Sequence, residues 1–355
     1  MAHSSSDPTP VGIKIGSTRT VVATPDGRSI DTDTTLTCLA EYEDVLSGEQ
    51  HAIFGQQAVD EYPERVEFML RTGLPEDERR TKETARFFER IVTANDLPAN
   101  SVVVYAIPAV NNEAGIDNLG NVIESTPVGD RLIRGYPESL CGSIPAFGRQ
   151  LAAIGRVFIS INLGSTNIGA CAYQRGEQLV RFTTGSIAGN EVDRWIANNI
   201  EEETQGRVNV DESTAREYKE NHGALDDFEP FTDVIQQPGG GTHEFTINRS
   251  VVDGINRYVD KAVETIADEF LPQLANDHMK IYKHSLEEPI VLNGGMASIP
   301  DLVEAFERRL GKKLQHDIDV IAPETPETAA ARGALQIAEQ FIDQDWYYSV
   351  DEQTP

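Results

Sequence analysis

The chain has 355 residues, too many for one compact core and enough for two lobes of ordinary domain size. Its 58 acidic residues against 30 basic ones give a formal net charge of -28, spread along the chain, which argues against nonspecific binding to nucleic acid or anionic lipid. Such a coat strains a compact chain in ordinary buffer, but at molar salt the Debye length falls to about 3 Å and screens the repulsion, so the composition points to a halophile.

Hydrophobic residues make up 39% of the chain, thirteen of them Phe, enough to build cores. Cys38, Cys141 and Cys171 are isolated and odd in number, without paired zinc or redox spacing, which fits a reducing compartment. Residues 1–10 are polar and lack both the apolar core of a signal peptide and the amphipathic face of a membrane anchor. No apolar run approaches membrane-spanning length, so the expectation is a cytoplasmic protein without direct membrane insertion.

In chain order, Ile13-Lys14-Ile15 reads as a strand running into the turn Gly16-Ser17-Thr18, and Val21-Val22-Ala23 reads as the return strand of a β-hairpin. Residues 83–92 carry Phe87, Phe88, Ile91 and Val92 at helical spacing, a core stripe. The first hairpin is then echoed: Ile161-Asn162-Leu163 enters Gly164-Ser165-Thr166-Asn167, and Ile168-Gly169-Ala170-Cys171-Ala172 returns. Two lobes of similar build are implied. Glycine and small hydroxyl side chains at such turns leave backbone N–H groups and hydroxyls able to surround phosphate oxygens, although either turn alone also reads as a plain hairpin.

Residues 223–242, with Asp226, Asp227, Pro230, Pro238 and three consecutive glycines, read as a long surface loop leading to a strand at 244–247 in an inserted subdomain. Val251, Ile255, Val259, Val263, Ile266 and Phe270 mark a long core helix. Pro289-Ile290-Val291-Leu292 is a short apolar strand ending in Asn293-Gly294-Gly295-Met296. Ser298 and Pro300 then open a helix striped by Leu302, Val303, Ala305, Phe306 and Leu310. Strand, double glycine and helix together let backbone approach a ligand closely. A last helix is expected to begin at Thr325-Pro326-Glu327, with Thr325 as N-cap, Pro326 in the first turn and a small packing face of Ala329, Ala330, Ala331 and Gly333. Beyond it, Trp346, Tyr347 and Tyr348 read as pins of that helix in preference to an adaptor-binding site.

The order of turn, second turn and double-glycine loop resembles the superfamily of actins, sugar kinases and heat-shock chaperone ATPases. Within it, Gly185-Ser186-Ile187-Ala188-Gly189-Asn190-Glu191-Val192-Asp193 resembles the MreB stretch that opens the second-lobe insertion. Thr214-Ala215 followed by Lys219-Glu220 resembles the insertion helix whose lysine and acid reach the ribose and base in actins. Gly294-Gly295-Met296, followed by Ala330-Ala331-Arg332-Gly333-Ala334, is the strongest match. The sequence runs only a little past that closing helix, so the expectation is an actin-type protein without a chaperone's substrate-binding domain. The stretch 54–75, opening Phe54-Gly55-Gln56-Gln57-Ala58 and closing Leu74-Pro75, is short and MreB-like, without a sugar kinase's insertions. A haloarchaeal actin homologue is indicated.

The resemblance implies an α/β, two-lobed actin-like fold of the duplicated ribonuclease H-like kind, with a nucleotide in the interlobe cleft. It places 11–150 and 326–345 in lobe I and 151–325 in lobe II, with an inserted subdomain near 190–255. Residues 1–10 form a flexible start and 346–355 an acidic tail. It implies ATP or GTP as ligand, with Mg2+ in an altered coordination. Phosphates would meet Lys14, Gly16, Ser17, Thr18, Asn162, Gly164, Ser165, Thr166 and Asn167; the nucleoside would meet Gly189, Glu191, Lys219, Glu220, Gly294, Gly295 and Met296. The partner implied is the chain itself in a homopolymer filament, serving cell shape before segregation, with unidentified adaptor proteins and no nucleic acid.

Three departures bear on chemistry. The family carries Asp in the strand before each glycine turn, where a carboxylate orders magnesium waters and positions the attacking water. This chain has Lys14 and Asn162 there. A lysine can pair with phosphate directly as a point charge, whereas asparagine keeps the shape and loses the charge. The helix supplying the water-orienting acid usually begins Glu-Pro; here Gly135-Tyr136-Pro137-Glu138-Ser139-Leu140-Cys141-Gly142-Ser143 puts Tyr136 in that place and moves the acid to Glu138. Glu138 is the catalytic candidate. Glu113, after Pro108, is a fallback that reads more readily as a solvated loop acid. The expectation is nucleotide binding with slow or altered hydrolysis, Lys14 partly replacing Mg2+ as the phosphate counter-charge. The competing readings are a non-polymerising nucleotide-binding regulator and a small-molecule kinase of the same superfamily, which lacks a residue for the base.

Overall fold

Val11, Ile13 and Ile15 are fully or almost fully buried, and they form β1 (Thr9–Ile15) of a computed structural model that describes residues 7–27, 29–148, 151, 155–236 and 241–344. Trp346, Tyr347 and Tyr348, most of the N-terminal segment, and Pro238 with two of its three following glycines lie outside the described residues. The chain divides by its internal packing into two units, Met1–Ala153 with Thr328–Pro355, and Ile154–Glu327.

In the first unit β1 is followed by β2 (Arg19–Asp26), β3 (Ser29–Leu36), β4 (Cys38–Glu43), β5 (Gln50–Phe54), α1 (Gln56–Glu61), β6 (Glu67–Phe68), α2 (Glu78–Ala94), β7 (Ser101–Ile107), α3 (Glu113–Glu124), β8 (Leu132–Pro137) and α4 (Glu138–Ser143). The main sheet runs β3-β2-β1-β7-β8, with β1 antiparallel to β2 and parallel to β7. A smaller sheet runs β5-β4-β6. The stripe Phe87, Phe88, Ile91 and Val92 of α2 enters the same core as Ile13 and Ile15.

The second unit carries β9 (Val157–Leu163), β10 (Ile168–Gln174), β11 (Glu177–Thr184), α5 (Gly189–Glu203), α6 (Glu212–His222), β12 (Phe231–Gln236), β13 (Thr242–Ile247), α7 (Ser250–Thr265), α8 (Leu271–Ser285), β14 (Ile290–Asn293), α9 (Leu302–Leu314) and β15 (Val320–Ile321). Its sheet runs β11-β10-β9-β14-β15, with β9 antiparallel to β10 and parallel to β14. Both units therefore repeat one plan, an antiparallel pair of hairpin strands extended by parallel strands. The halves echoed in the sequence are built alike. The stripe from Val251 to Phe270 is buried along its whole length, as a core helix requires.

The final helix, α10 (Ala329–Asp343), packs within the first unit. A side chain at Gly12 of β1 would collide with the Ala331 carbonyl and the Leu335 backbone, and one at Gly333 would collide with the Cys141 carbonyl of α4. Small residues on both sides bring helix and strand backbone together. All three cysteines are buried and none forms a disulfide. Among the described residues no helix is long and apolar enough to cross a membrane.

Two expectations about elements are corrected. The segment 223–242 is not simply a loop: β12 lies inside it and pairs with β13 over Phe231 to Gln236. Its half-buried Phe231, Asp233 and Ile235 alternate with exposed neighbours, and Phe231 stacks on His222 of α6 at 3.7 Å between ring centres. The surrounding Gly and Pro concealed this alternation. The last helix starts at Ala329 with Thr328 as N-cap, not at Thr325-Pro326. Those residues serve the double-glycine turn instead, because the Pro326 carbonyl accepts the Gly294 N–H at 3.1 Å.

Candidate functional site

The two glycine turns share one backbone geometry. Gly16 N–H donates to the Arg19 carbonyl at 3.0 Å, and Gly164 N–H donates to the Asn167 carbonyl at 3.0 Å. A Cβ at Gly16 would lie 2.7 Å from the Arg19 oxygen and one at Gly164 would lie 2.9 Å from the Asn167 oxygen. Both turns therefore close only around glycine, which is stronger than the loose turn preference visible in the sequence.

At the first turn Ser17 is buried and the Thr18 carbonyl accepts the Thr37 N–H at 2.9 Å, so the turn is tied to the chain beyond β3. The Lys14 side chain passes beside Gly16, its Cε 3.3 Å from where a Cβ there would stand. Its ammonium ends 2.8 Å from Oε1 of Glu138, and the two side chains are only 17% and 12% exposed. Glu138 is the first residue of α4, where backbone N–H groups favour an anion. The structure thus joins two of the departures into one ion pair, and the carboxylate of the catalytic candidate is already engaged. Tyr136 is half-buried with its ring centre 6.4 Å from that of Phe341, and burial pushes its phenol pKa up. Glu113 is exposed in the first turn of α3, whose N-cap Asn112 accepts the Gly115 N–H at 2.9 Å.

At the second turn the start of α5 docks directly onto the backbone. Gly189 N–H donates to the Gly164 carbonyl at 3.0 Å and Asn190 N–H to the Ser165 carbonyl at 2.9 Å. A Cβ at Gly189 would meet Ser165 Cα at 3.2 Å and Met296 Sδ at 3.3 Å. Asn162 lies against Gly294, whose φ of +91° suits glycine and whose missing side chain leaves room for the Asn162 amide and the Leu163 carbonyl. Asn162, Gly164, Ser165, Gly189, Gly294 and Met296, separated in sequence, are thereby brought together. Gly295 is exposed, and Thr166 and Asn167 are part-exposed in the turn.

Lys219 is 7% exposed and donates to the Gly189 carbonyl at 3.2 Å and to Asp193. Burial pulls its ammonium pKa below the ordinary lysine value, against the opposing pull of Asp193. Arg216 adds a second cation at 3.2 Å from the same carboxylate. Glu191 pairs with Arg194 at 2.7 Å, and Glu220 is exposed. Asp193 was not among the expected site residues. Its signal was an acid on the apolar stripe Val192, Ile196 and Ile200, a place where a charge is buried only with partners.

Asn162 and Asn190 each hold a buried side-chain oxygen with no hydrogen-bond partner among the described residues. Two unsatisfied amides beside one turn fit a place where a bound polar group supplies the missing bonds. A carboxylate-held Mg2+ fits less well. It needs anionic oxygens; at the first turn the strand offers an ammonium, with Glu138 already paired to it, and at the second turn the strand offers only an amide. Among the described residues no group of three or more His, Cys, Asp or Glu is arranged to hold a metal ion.

Comparison with known proteins places the chain in a family and identifies its fold. Residues 8–342 match the family described as Salactin. The chain is 57% identical over 336 residues to Salactin of Halobacterium salinarum, an alignment covering 95% of this chain and 93% of that one. Among solved structures it is similar to MreB 5 of Spiroplasma citri bound to AMPPNP, with a TM-score of 0.76 at 16% identity over 97% of this chain and 99% of that one. It is also similar to the MamK double helical filament, with a TM-score of 0.71 at 18% identity over 93% and 98% of the two chains. At those identities the likeness carries the fold, and the fold is the two-lobed actin-like one.

Proposed function

Because the chain belongs to the Salactin family, we propose that it is an actin-like cytoskeletal protein that binds ATP or GTP and polymerises into filaments, with weak or altered hydrolysis. The observation that carries the nucleotide reading is the duplicated turn, closed around Gly16 in one unit and Gly164 in the other by the same hydrogen bond. Phosphates would meet Lys14 and residues 16–18 of the first turn and Asn162 with residues 164–167 of the second; Gly189, Gly294, Gly295 and Met296 would face the nucleoside. The buried Lys219 would act through Gly189 and Asp193, with Glu191 and Glu220 at the rim. Descriptions of the structural neighbours, one bound to AMPPNP and one a filament, support nucleotide binding and self-association.

Head-to-tail stacking of identical subunits is a heterologous contact that does not close, and bound nucleotide can bias it by favouring one conformation. The acidic surface supports work in a salt-rich cytoplasm, and cell shape is the role we assign before segregation. The test is high-speed pelleting and phosphate release measured together in molar potassium chloride, with ATP, GTP, a non-hydrolysable analogue or none. Nucleotide-dependent pellets that are filaments by electron microscopy, with little phosphate release, are expected. Tight nucleotide binding without pelleting would instead indicate a non-polymerising regulator, and nucleotide-dependent phosphorylation of an added small molecule a kinase.

A further inference from the structure

Around the first turn the charges are arranged as a closed pair where a phosphate site would otherwise call for a metal. The Lys14 stem lies along Gly16, and its ammonium is 2.8 Å from Glu138 with little of either side chain exposed. The pair is held by packed elements. Lys14 belongs to β1, whose Gly12 admits α10, and Glu138 opens α4, whose Cys141 carbonyl is covered by Gly333 of the same helix α10. An ammonium has three N–H donors, so one bond to Glu138 leaves capacity for phosphate oxygens. A divalent cation drawn to Glu138 would meet a like charge at its ligand. At the second turn Asn162 adds no carboxylate either.

Resting on the nucleotide-binding reading above, we propose that the Lys14–Glu138 pair takes the place of the divalent cation at the first turn. Lys14 supplies the positive charge that phosphate needs, and Glu138 is the resident anion that holds the ammonium there until a phosphate shares it. Nucleotide binding then does not depend on Mg2+. Removing Lys14 converts the site, because it leaves a poorly exposed carboxylate beside the phosphates that only an added cation can neutralise.

The experiment is isothermal titration of the full chain with ATP in molar potassium chloride, once with excess magnesium chloride and once with EDTA, for wild type, Lys14→Met and Glu138→Gln. Wild type is expected to show the same Kd in both within about twofold, Lys14→Met a Kd at least about tenfold tighter with Mg2+, and Glu138→Gln metal-independent binding as tight as wild type or tighter. A merely structural pair would not change the metal dependence. Chelation weakening wild-type binding by about tenfold or more overturns the inference while leaving the nucleotide reading intact. So does a Lys14→Met chain that binds with the wild-type Kd in both buffers. Absence of binding by wild type in either buffer defeats the nucleotide reading itself. Should Lys14→Met fail to fold by circular dichroism, the wild-type pair of titrations decides alone.

Discussion

The first and second glycine turns have the same backbone and different chemistry. Each closes with a glycine N–H bonded at 3.0 Å to the carbonyl three residues on. In the strand before the turn, the first unit places Lys14 against Glu138, whereas the second places Asn162 against Gly294 with its amide oxygen unpartnered among the described residues. The backbone is set by strand pairing and by glycine, so it is preserved when side chains change. Charge at the turn is set by one side chain and its partner, so it can be reversed in one unit and neutralised in the other without altering the fold.

The most damaging way to break the comparison is through the glycine that supports only the second turn. Gly294→Ala imposes φ +91° on alanine and drives a Cβ against Asn162 and to 2.7 Å from the Leu163 carbonyl. We expect a loss of about 3 kcal/mol or more, read by urea unfolding in molar salt. Gly16→Ala at the first turn meets one backbone oxygen at 2.7 Å without a positive φ, and about 1–2 kcal/mol is expected. Gly295→Ala meets nothing within 4 Å and should stay within about 0.5 kcal/mol of wild type. Equal losses for Gly294→Ala and Gly295→Ala would mean that the double glycine is not asymmetric in this way.

The charge difference can be tested next. Lys14→Met strands a carboxylate that is 12% exposed, at a cost of about 2–3 kcal/mol, and Glu138→Gln strands the ammonium at somewhat less. The double variant Lys14→Met/Glu138→Gln should recover about 1–2 kcal/mol of the summed loss, the coupling a thermodynamic cycle isolates. At the second turn Asn162→Asp introduces a charge at a residue only 6% exposed, and about 2–3 kcal/mol is expected without nucleotide. Additive single losses at Lys14 and Glu138 would show that the two side chains do not act as a pair.

Much of the backbone of this site was legible, and its pairings were not. Glycine after an apolar strand, repeated once, marks both turns from local pattern alone, and the apolar stripe of 251–270 marks its helix. Lys14 and Glu138 each stand out singly as departures. Their contact depends on register: Ile13 pairs with Tyr105 and Tyr105 with Gly135, which brings the residues after β8 to the end of β1 where Lys14 lies. No local period contains that information. Asp193 and Lys219 are coupled in the same way through the packing of α6 on α5. Thr325-Pro326 suits a first turn by local pattern, but the Pro326 carbonyl accepts the Gly294 N–H and the last helix starts at Ala329, a long-range pairing that no local pattern contains.

A third carboxylate sharpens the comparison from outside the turns, with the smallest expected effect. Glu203, at the end of α5, is held by hydrogen-bond donors. It accepts the Asn248 N–H at 2.8 Å and the Ser250 N–H at 3.2 Å, together with the Ser250 hydroxyl, and so caps the start of α7 from another helix. Burial pushes its pKa up, but the hydrogen bonds from Ser250, Asn248 and Arg249 outweigh burial and leave the carboxyl below its ordinary value. A carboxyl lowered by folding adds stability that is fully present above the unfolded value of about 4.3 and is lost as pH falls through the folded value. Glu203→Gln should therefore cost about 1 kcal/mol at pH 7, as loss of a helix cap does. The gap between wild type and variant should close between about pH 5 and pH 3 in urea titrations at fixed molar salt. A gap that stays constant with pH would mean that the loss does not come from ionisation of Glu203, and that charge matters at Lys14 and Glu138 but not here.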